Sequence, residues 1–145
     1  MKKLSLFIVS ASMLLAQNLL PSNFSQCKEI SFFTKNSPPI PINDDMEIIK
    51  KYKCDTNTVY IGIEDKIPGI LKLKVNNDNK NFLLKHTKIE GFECAIYIDK
   101  TLQKGVIAIK LNNKKALKVL FYGTDYQNIL NYVKNLNLKK IKREL

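Results

Sequence analysis

The chain has 145 residues, which is enough for one domain with its own core and too few for two comfortable ones. Its formal charge at pH 7 is +11, from 24 basic and 13 acidic side chains. Almost all of the basic side chains are lysines, and Arg143 is the single arginine. Since arginine is the residue that reads phosphates and base edges in a bidentate way, nucleic-acid recognition is not expected. The lysines favour either a well-solvated surface or a cationic face that meets an anionic partner.

The first sixteen residues have the order of a secretory signal. Lys2 and Lys3 precede an apolar run over residues 4–15, and Ala16 supplies a small residue for cleavage before Gln17. The run is shorter than the roughly 20 residues needed to span a bilayer as a helix, so cleavage is favoured over anchoring. Residues 1–16 are therefore predicted to be a signal peptide, and the mature chain, at +9, is expected in the periplasm or secreted.

Residues 17–42 form a predicted N-terminal lead. Residues 17–25 show no clear period and are expected to be loosely held. Residues 28–34 suggest a short first strand, and residues 36–41 then carry three prolines in four positions, which predicts an extended connector.

A short first helix is predicted after this connector. Asn43 or Asp44 can cap it, and Met46, Ile49 and Tyr52 recur at a spacing of three residues, which gives one narrow apolar stripe ending near residue 54.

About six strands are predicted next, from alternating or densely apolar runs separated by turn residues. They cover residues 58–64, 71–75, 82–89, 94–98, 106–111 and 116–122. In the second of these, Leu71, Leu73 and Val75 would face the core, with Lys72 and Lys74 toward water. No long crossover separates the runs, so the order favours an antiparallel meander.

A longer C-terminal helix is predicted over residues 124–138. Thr124 and Gln127 have the spacing of a capping box, and an apolar stripe runs from Tyr126 to Leu136. The predicted fold is therefore α+β, an antiparallel meander sheet of about six strands with a short N-terminal and a longer C-terminal helix packed on it. The single domain would cover residues 43–138, followed by a basic tail over residues 139–145.

Three cysteines in an exported chain leave one without an intramolecular partner. Cys27 and Cys54 flank the connector and the predicted first helix and are the favoured disulfide, although spacing alone does not fix connectivity. Cys94 is in phase with Ile96 and Ile98 on an apolar face, which favours a buried, inert thiol.

The sequence offers little catalytic chemistry. His86 is the single histidine, in phase with Phe82 and Leu84, and a half-buried strand histidine held by a neighbour is favoured over a catalytic base. No nucleophile motif, phosphate loop or metal-ligand spacing accompanies it. The chain is therefore expected not to be an enzyme and to need no metal or cofactor.

The predicted function is that of a small exported binding or accessory protein of the bacterial cell envelope, engaging a protein or an anionic surface. The candidate contact residues are the lysine-bearing strand and the basic tail, comprising Lys72, Lys74, Lys139, Lys140, Lys142 and Arg143. The alternative is a carrier of a small apolar ligand held between the sheet and the C-terminal helix.

Overall fold

A computed structural model describes residues 19–34 and 46–145. These residues form one antiparallel sheet of nine strands and three short helices. The strands are β1 (Asn23–Phe24), β2 (Cys27–Thr34), β3 (Met46–Cys54), β4 (Asn57–Glu64), β5 (Asn77–Asp78), β6 (Phe82–Ile89), β7 (Phe92–Asp99), β8 (Lys104–Lys110) and β9 (Ala116–Tyr122). The helices are α1 (Gly69–Lys72), α2 (Tyr126–Val133) and α3 (Leu138–Arg143). The predicted α+β class with an antiparallel sheet is confirmed, but the sheet has nine strands in place of about six and is not the single meander that was predicted.

The sheet joins two meanders through its last strand. The spatial order is β1-β2-β3-β4-β9-β8-β7-β6-β5, so β9 lies between β4 and β8. Tight turns set the register on either side. Glu90 and Gly91 both have positive φ, as a two-residue hairpin requires, and Asn112 Oδ1 accepts hydrogen bonds from the amides of Lys114 and Lys115 at the β8–β9 tip.

One face of the sheet, here called the first face, packs against α2 and α3. Its strand residues alternate as period two requires, for example Val59, Ile61 and Ile63 on β4. The helices cover this core with three almost fully buried side chains, Ile129 and Val133 of α2 and Ile141 of α3. The predicted packing of a C-terminal helix on the sheet is therefore present, divided between two short helices.

The opposite face, here called the second face, is covered at one end by α1. Leu71 of this helix is buried against Ala95, Ala108 and Ala116, one alanine from each of three neighbouring strands. The small side chains leave room for one helical turn directly on the strands. At the other end of the same face the side chains are larger.

The predicted first helix is wrong, because residues 46–54 form strand β3. This strand pairs with β2 on one side and β4 on the other, and Cys54 lies opposite Cys27. Tyr52 is fully buried in the first-face core. The spacing of Ile49 and Tyr52 fits a helix, but the two partner strands supply the hydrogen bonds and the burial that decide the outcome. The predicted caps, Asn43 and Asp44, lie outside the described residues.

The predicted strand over residues 71–75 is also wrong. Residues 69–72 are α1, while Leu73 and Val75 are 55% and 60% exposed. The backbone N–H of His86 donates to Asn76 Oδ1 at 2.8 Å. A side chain therefore accepts this hydrogen bond of β6, where a strand over 71–75 would have used a backbone carbonyl.

The N-terminal lead is packed where loose structure was expected. Leu20 is 1% exposed and Phe24 is 7% exposed, and Phe24 meets the Tyr52 ring edge-on at a centroid distance of 4.9 Å. The predicted strand over 28–34 is confirmed as β2. The predicted signal peptide (1–16) and the proline connector (36–41) lie outside the described residues.

The C-terminal helix begins and ends differently from the prediction. Asp125 is the N-cap, with its carboxylate accepting from the Asn128 amide at 3.2 Å, in place of Thr124. The helix stops at Val133, and Asn137 then caps α3, so residues 139–143 of the predicted basic tail are helical. Among the described residues, no helix combines the length and the apolar character that a membrane crossing requires.

Candidate functional site

Helix α3 carries the densest group of basic side chains in the described residues. Leu138 and Ile141 fix its orientation, because both are buried against the core. At 3.6 residues per turn, Lys139, Lys140 and Arg143 then fall within an arc of about 100° on the outward side. All three are exposed. We call the exposed side chains Lys139, Lys140, Lys142 and Arg143 the α3 basic face.

The charges of the α3 basic face are not compensated locally. Within the part of the chain that the structure describes, no carboxylate forms an ion pair with any of its four residues. Lys142 Nζ instead lies 5.8 Å from the centroid of the Phe92 ring, which leaves its charge available to solvent. The backbone at the end of α3 is compatible with these cations, since the helix dipole is negative there.

Lys72 and Lys74, the other predicted contact residues, lie elsewhere. Lys72 is the last residue of α1 and Lys74 follows it, on the second face and across the sheet from α3. The six predicted residues therefore do not form one surface. Lys74 Nζ donates to Glu93 Oε1 at 3.0 Å, and Lys110 Nζ lies 3.7 Å from the other carboxylate oxygen. The hydrogen bond and charge of Lys74 hold the pKa of Glu93 below its usual value. The positive charge of Lys74 is thus already matched within the fold.

The cysteines are arranged as the sequence predicted. Cys27 and Cys54 form a disulfide between the directly opposite positions of β2 and β3. Cys94 is a buried free thiol on β7, and burial raises its pKa to about 12. Such a thiol stays protonated at neutral pH and is a poor nucleophile.

His86 holds the segment that follows α1 against strand β6. Its Nε2 lies 2.7 Å from the carbonyl oxygen of Ile70, and its Nδ1 lies 3.0 Å from Asn76 Oδ1. The same Asn76 oxygen accepts the His86 backbone N–H, which identifies it as the oxygen of the amide. The expected neighbour-held histidine is present, with its ring between Ile70 of α1 and Asn76.

The described residues contain no group of three or more His, Cys, Asp or Glu side chains that could hold a metal ion.

A polar cluster that the sequence did not reveal lies beside the disulfide. Tyr132 of α2 donates to Asp55 Oδ2 at 2.9 Å, and Asn128 Nδ2 donates to the Tyr132 hydroxyl at 3.2 Å. Asp55 lies in the β3–β4 turn with a positive φ. This cluster fixes α2 to the turn.

A cavity of about 200 Å³ opens on the second face, beyond the end covered by α1. Tyr60, Tyr97, Val106 and Leu120 line it from four neighbouring strands, with Lys104 and Tyr122 among the other lining residues. The space between the sheet and α2, where an apolar ligand was predicted, holds the packed side chains of Ile129, Tyr132 and Val133. The sequence did contain a signal for the cavity, since these tyrosines interrupt otherwise aliphatic strands on the face turned away from α2 and α3.

Comparison with protein-family models, with curated proteins and with solved structures found no match for this chain.

Proposed function

We propose that this chain is a small, non-enzymatic accessory protein of the bacterial cell envelope that binds an anionic envelope surface through the α3 basic face. Export through a cleaved signal peptide into the periplasm is part of the proposal. The leader-like order of the first sixteen residues supports it, and so does the Cys27–Cys54 disulfide, a bond that persists in oxidising compartments.

The observation that carries the proposal is the contrast between the two groups of lysines. Lys74 is matched by Glu93 and Lys72 stands apart from it at the end of α1, whereas the four cations of α3 lie together and lack a carboxylate partner among the described residues. Leu138 and Ile141 also hold α3 rigidly on the core, so its cations are presented together. Basic side chains near an anionic lipid surface each contribute about 1 kcal/mol of attraction.

The test measures binding to vesicles of phosphatidylglycerol and, as the uncharged comparison, phosphatidylcholine. We expect the protein to bind the anionic vesicles in about 0.05 M salt and to be released in about 0.5 M salt, where charges are strongly screened. Replacing Lys139, Lys140 and Arg143 together by glutamine should weaken binding by about a hundredfold, since three contributions of about 1 kcal/mol are lost.

A second triple variant provides the matched control. Lys72, Lys80 and Lys114 are exposed lysines outside α3, and changing them to glutamine lowers the net charge by the same amount. This control should bind anionic vesicles within a fewfold of the unmodified protein. Equal weakening by both triples would show that only overall charge matters, and an absence of binding to anionic vesicles at low salt would refute the proposal.

A further inference from the structure

We infer that the cavity on the second face binds a small monoanion that carries one apolar ring. This binding site goes beyond the envelope contact proposed above and lies across the sheet from it. It also differs in position from the site between sheet and helix that the sequence suggested.

The floor of the cavity is a continuous row of side chains across four strands. Tyr60 lies opposite Leu120, Leu120 opposite Val106, and Val106 opposite Tyr97. The row therefore has a tyrosine at each end and two aliphatic residues between them. At a strand spacing of about 4.8 Å, the two tyrosine positions are about 14 Å apart, which leaves a trough above Leu120 and Val106.

Neighbouring residues hold the two tyrosine walls in place. The Tyr97 ring stacks on Phe82 at a centroid distance of 5.9 Å. Lys51 Nζ lies 5.7 Å from the centroid of Tyr60. A trough with braced aromatic walls and an aliphatic floor is suited to a flat apolar group, since aromatic faces and edges favour ring contacts.

The rim of the trough favours a negative charge on the ligand. Lys104 is exposed beside the cavity, 5.7 Å from the centroid of its neighbour Tyr122. Lys51 stands over the opposite wall. Asp99 also lines the cavity, but its Oδ1 accepts the amides of Thr101 and Leu102 at 3.0 and 2.9 Å, which holds this carboxylate in its turn.

The volume of the trough suits a single ring. A cavity of about 150 Å³ in another protein is large enough for benzene, so about 200 Å³ holds one ring with a short substituent. Larger ligands need cavities of about 300 Å³ or more. Together, the floor, the rim and the size indicate a ring bearing one short acidic arm.

The test is an NMR titration of amide resonances with 3-phenylpropanoate and with its uncharged analogue 3-phenylpropanamide. We expect shifts at Tyr60, Val106 and Leu120, and tighter binding of the anion. Lys104→Gln should weaken anion binding by about two- to fivefold and leave the amide unaffected, as expected for an exposed charge pair. Lys139→Gln, on the opposite face, should change neither.

A filling variant tests the cavity itself. Val106→Phe places a ring in the trough and should weaken both probes by about tenfold or more, because the burial of one apolar ring is lost. Val75→Phe is the matched control, since Val75 is 60% exposed and does not line the cavity. If Val106→Phe does not give a dispersed spectrum, Val106→Leu is the smaller filling variant, with a smaller expected loss.

Three results would overturn the assignment. The first is an absence of shifts with both probes at millimolar concentration. The second is binding that maps to α2 or α3 or that survives filling of the trough. The third is equal affinity for the anion and the amide, which would show that the lysines do not contribute to binding.

Discussion

Two buried polar side chains of β3 bind the first described residues of the chain. Tyr52 donates its hydroxyl hydrogen to the carbonyl of Pro21 at 2.7 Å, and Lys50 Nζ donates to the carbonyl of Leu20 at 2.7 Å. Lys50 Nζ also lies 2.6 Å from Glu29 Oε1. Because buried donors are costly without acceptors, the lead at residues 19–24 is part of the fold.

The buried hydroxyl of Tyr52 leads to a prediction about the stability of the protein at alkaline pH. Burial, and secondarily the negative charge of Glu29, hold its pKa well above the usual value. The unfolded chain releases this proton near pH 10, so the folded state binds more protons above that pH. The contribution of this tyrosine to stability is therefore complete below about pH 10. Above that pH, the free energy of unfolding falls by about 1.4 kcal/mol per pH unit.

Tyr52→Phe should accordingly lower the free energy of unfolding by about 1–2 kcal/mol at pH 8, through loss of the Pro21 hydrogen bond. Near pH 11 the difference from the parent protein should shrink toward zero. Urea unfolding at the two pH values measures this. Both proteins should carry Cys94→Ala, because unfolding exposes this buried thiol, which would then attack the disulfide at high pH. A difference that stays constant would contradict the assigned pKa direction.

At the scale of the elements, strands β8 and β9 meet closely at Gly105. This glycine lies opposite Phe121, and the phenyl ring occupies the space where a Cβ would stand. A Cβ built on Gly105 would be 2.3 Å from Phe121 Cζ, which no real contact tolerates. The ring therefore substitutes for the missing side chain in the first-face core.

Gly105→Ala should consequently destabilise the protein, although alanine normally stabilises a strand relative to glycine. We expect a loss of about 1–3 kcal/mol, the usual cost of overpacking. A double-mutant cycle with Phe121→Leu, followed by urea unfolding, separates the clash from other effects. The loss should fall by at least half in the leucine background, and an unchanged loss would place the strain elsewhere.

Most of the elements that the sequence predicted correctly have a partner near in the chain. Strands β6 to β9 follow one another through short turns, so alternation and turn residues identify them. Residues 46–54 were misassigned because the partners of β3 include β2, across the connector. Residues 71–75 alternate like a strand, but Leu71 instead docks on three alanines contributed by distant segments. The cavity was missed for the same reason, since its row forms only when β4 and β9 pair.

At the scale of the whole molecule, the disulfide joins β2 to β3, two neighbouring strands that are separated in sequence by residues 35–45. Cys27 and Cys54 are 27 positions apart in sequence and lie directly across the β2–β3 pair. On the chain-entropy account, closing a loop of this length stabilises the folded state by about 3.5 kcal/mol. That is a large part of the net stability of an ordinary small domain.

Replacing Cys27 and Cys54 by alanine should therefore lower the free energy of unfolding by about 2–4 kcal/mol. Urea unfolding of the two forms, with and without reductant, measures the change. Reductant should destabilise the parent protein by a similar amount and leave the double variant unaffected. A loss below about 1 kcal/mol would mean that the two meanders hold together without the bond.

The central position of β9 affects the order in which the sheet can assemble. Residues 116–122 lie late in the chain, yet they bridge β4 and β8 in the middle of the sheet. Until this segment pairs, strands β1 to β4 and strands β5 to β8 are two separate sheets, each with an exposed apolar edge. A nascent polypeptide would keep both of these edges exposed until its last quarter emerged. Chaperone protection would matter most before that point, and premature truncation would favour aggregation.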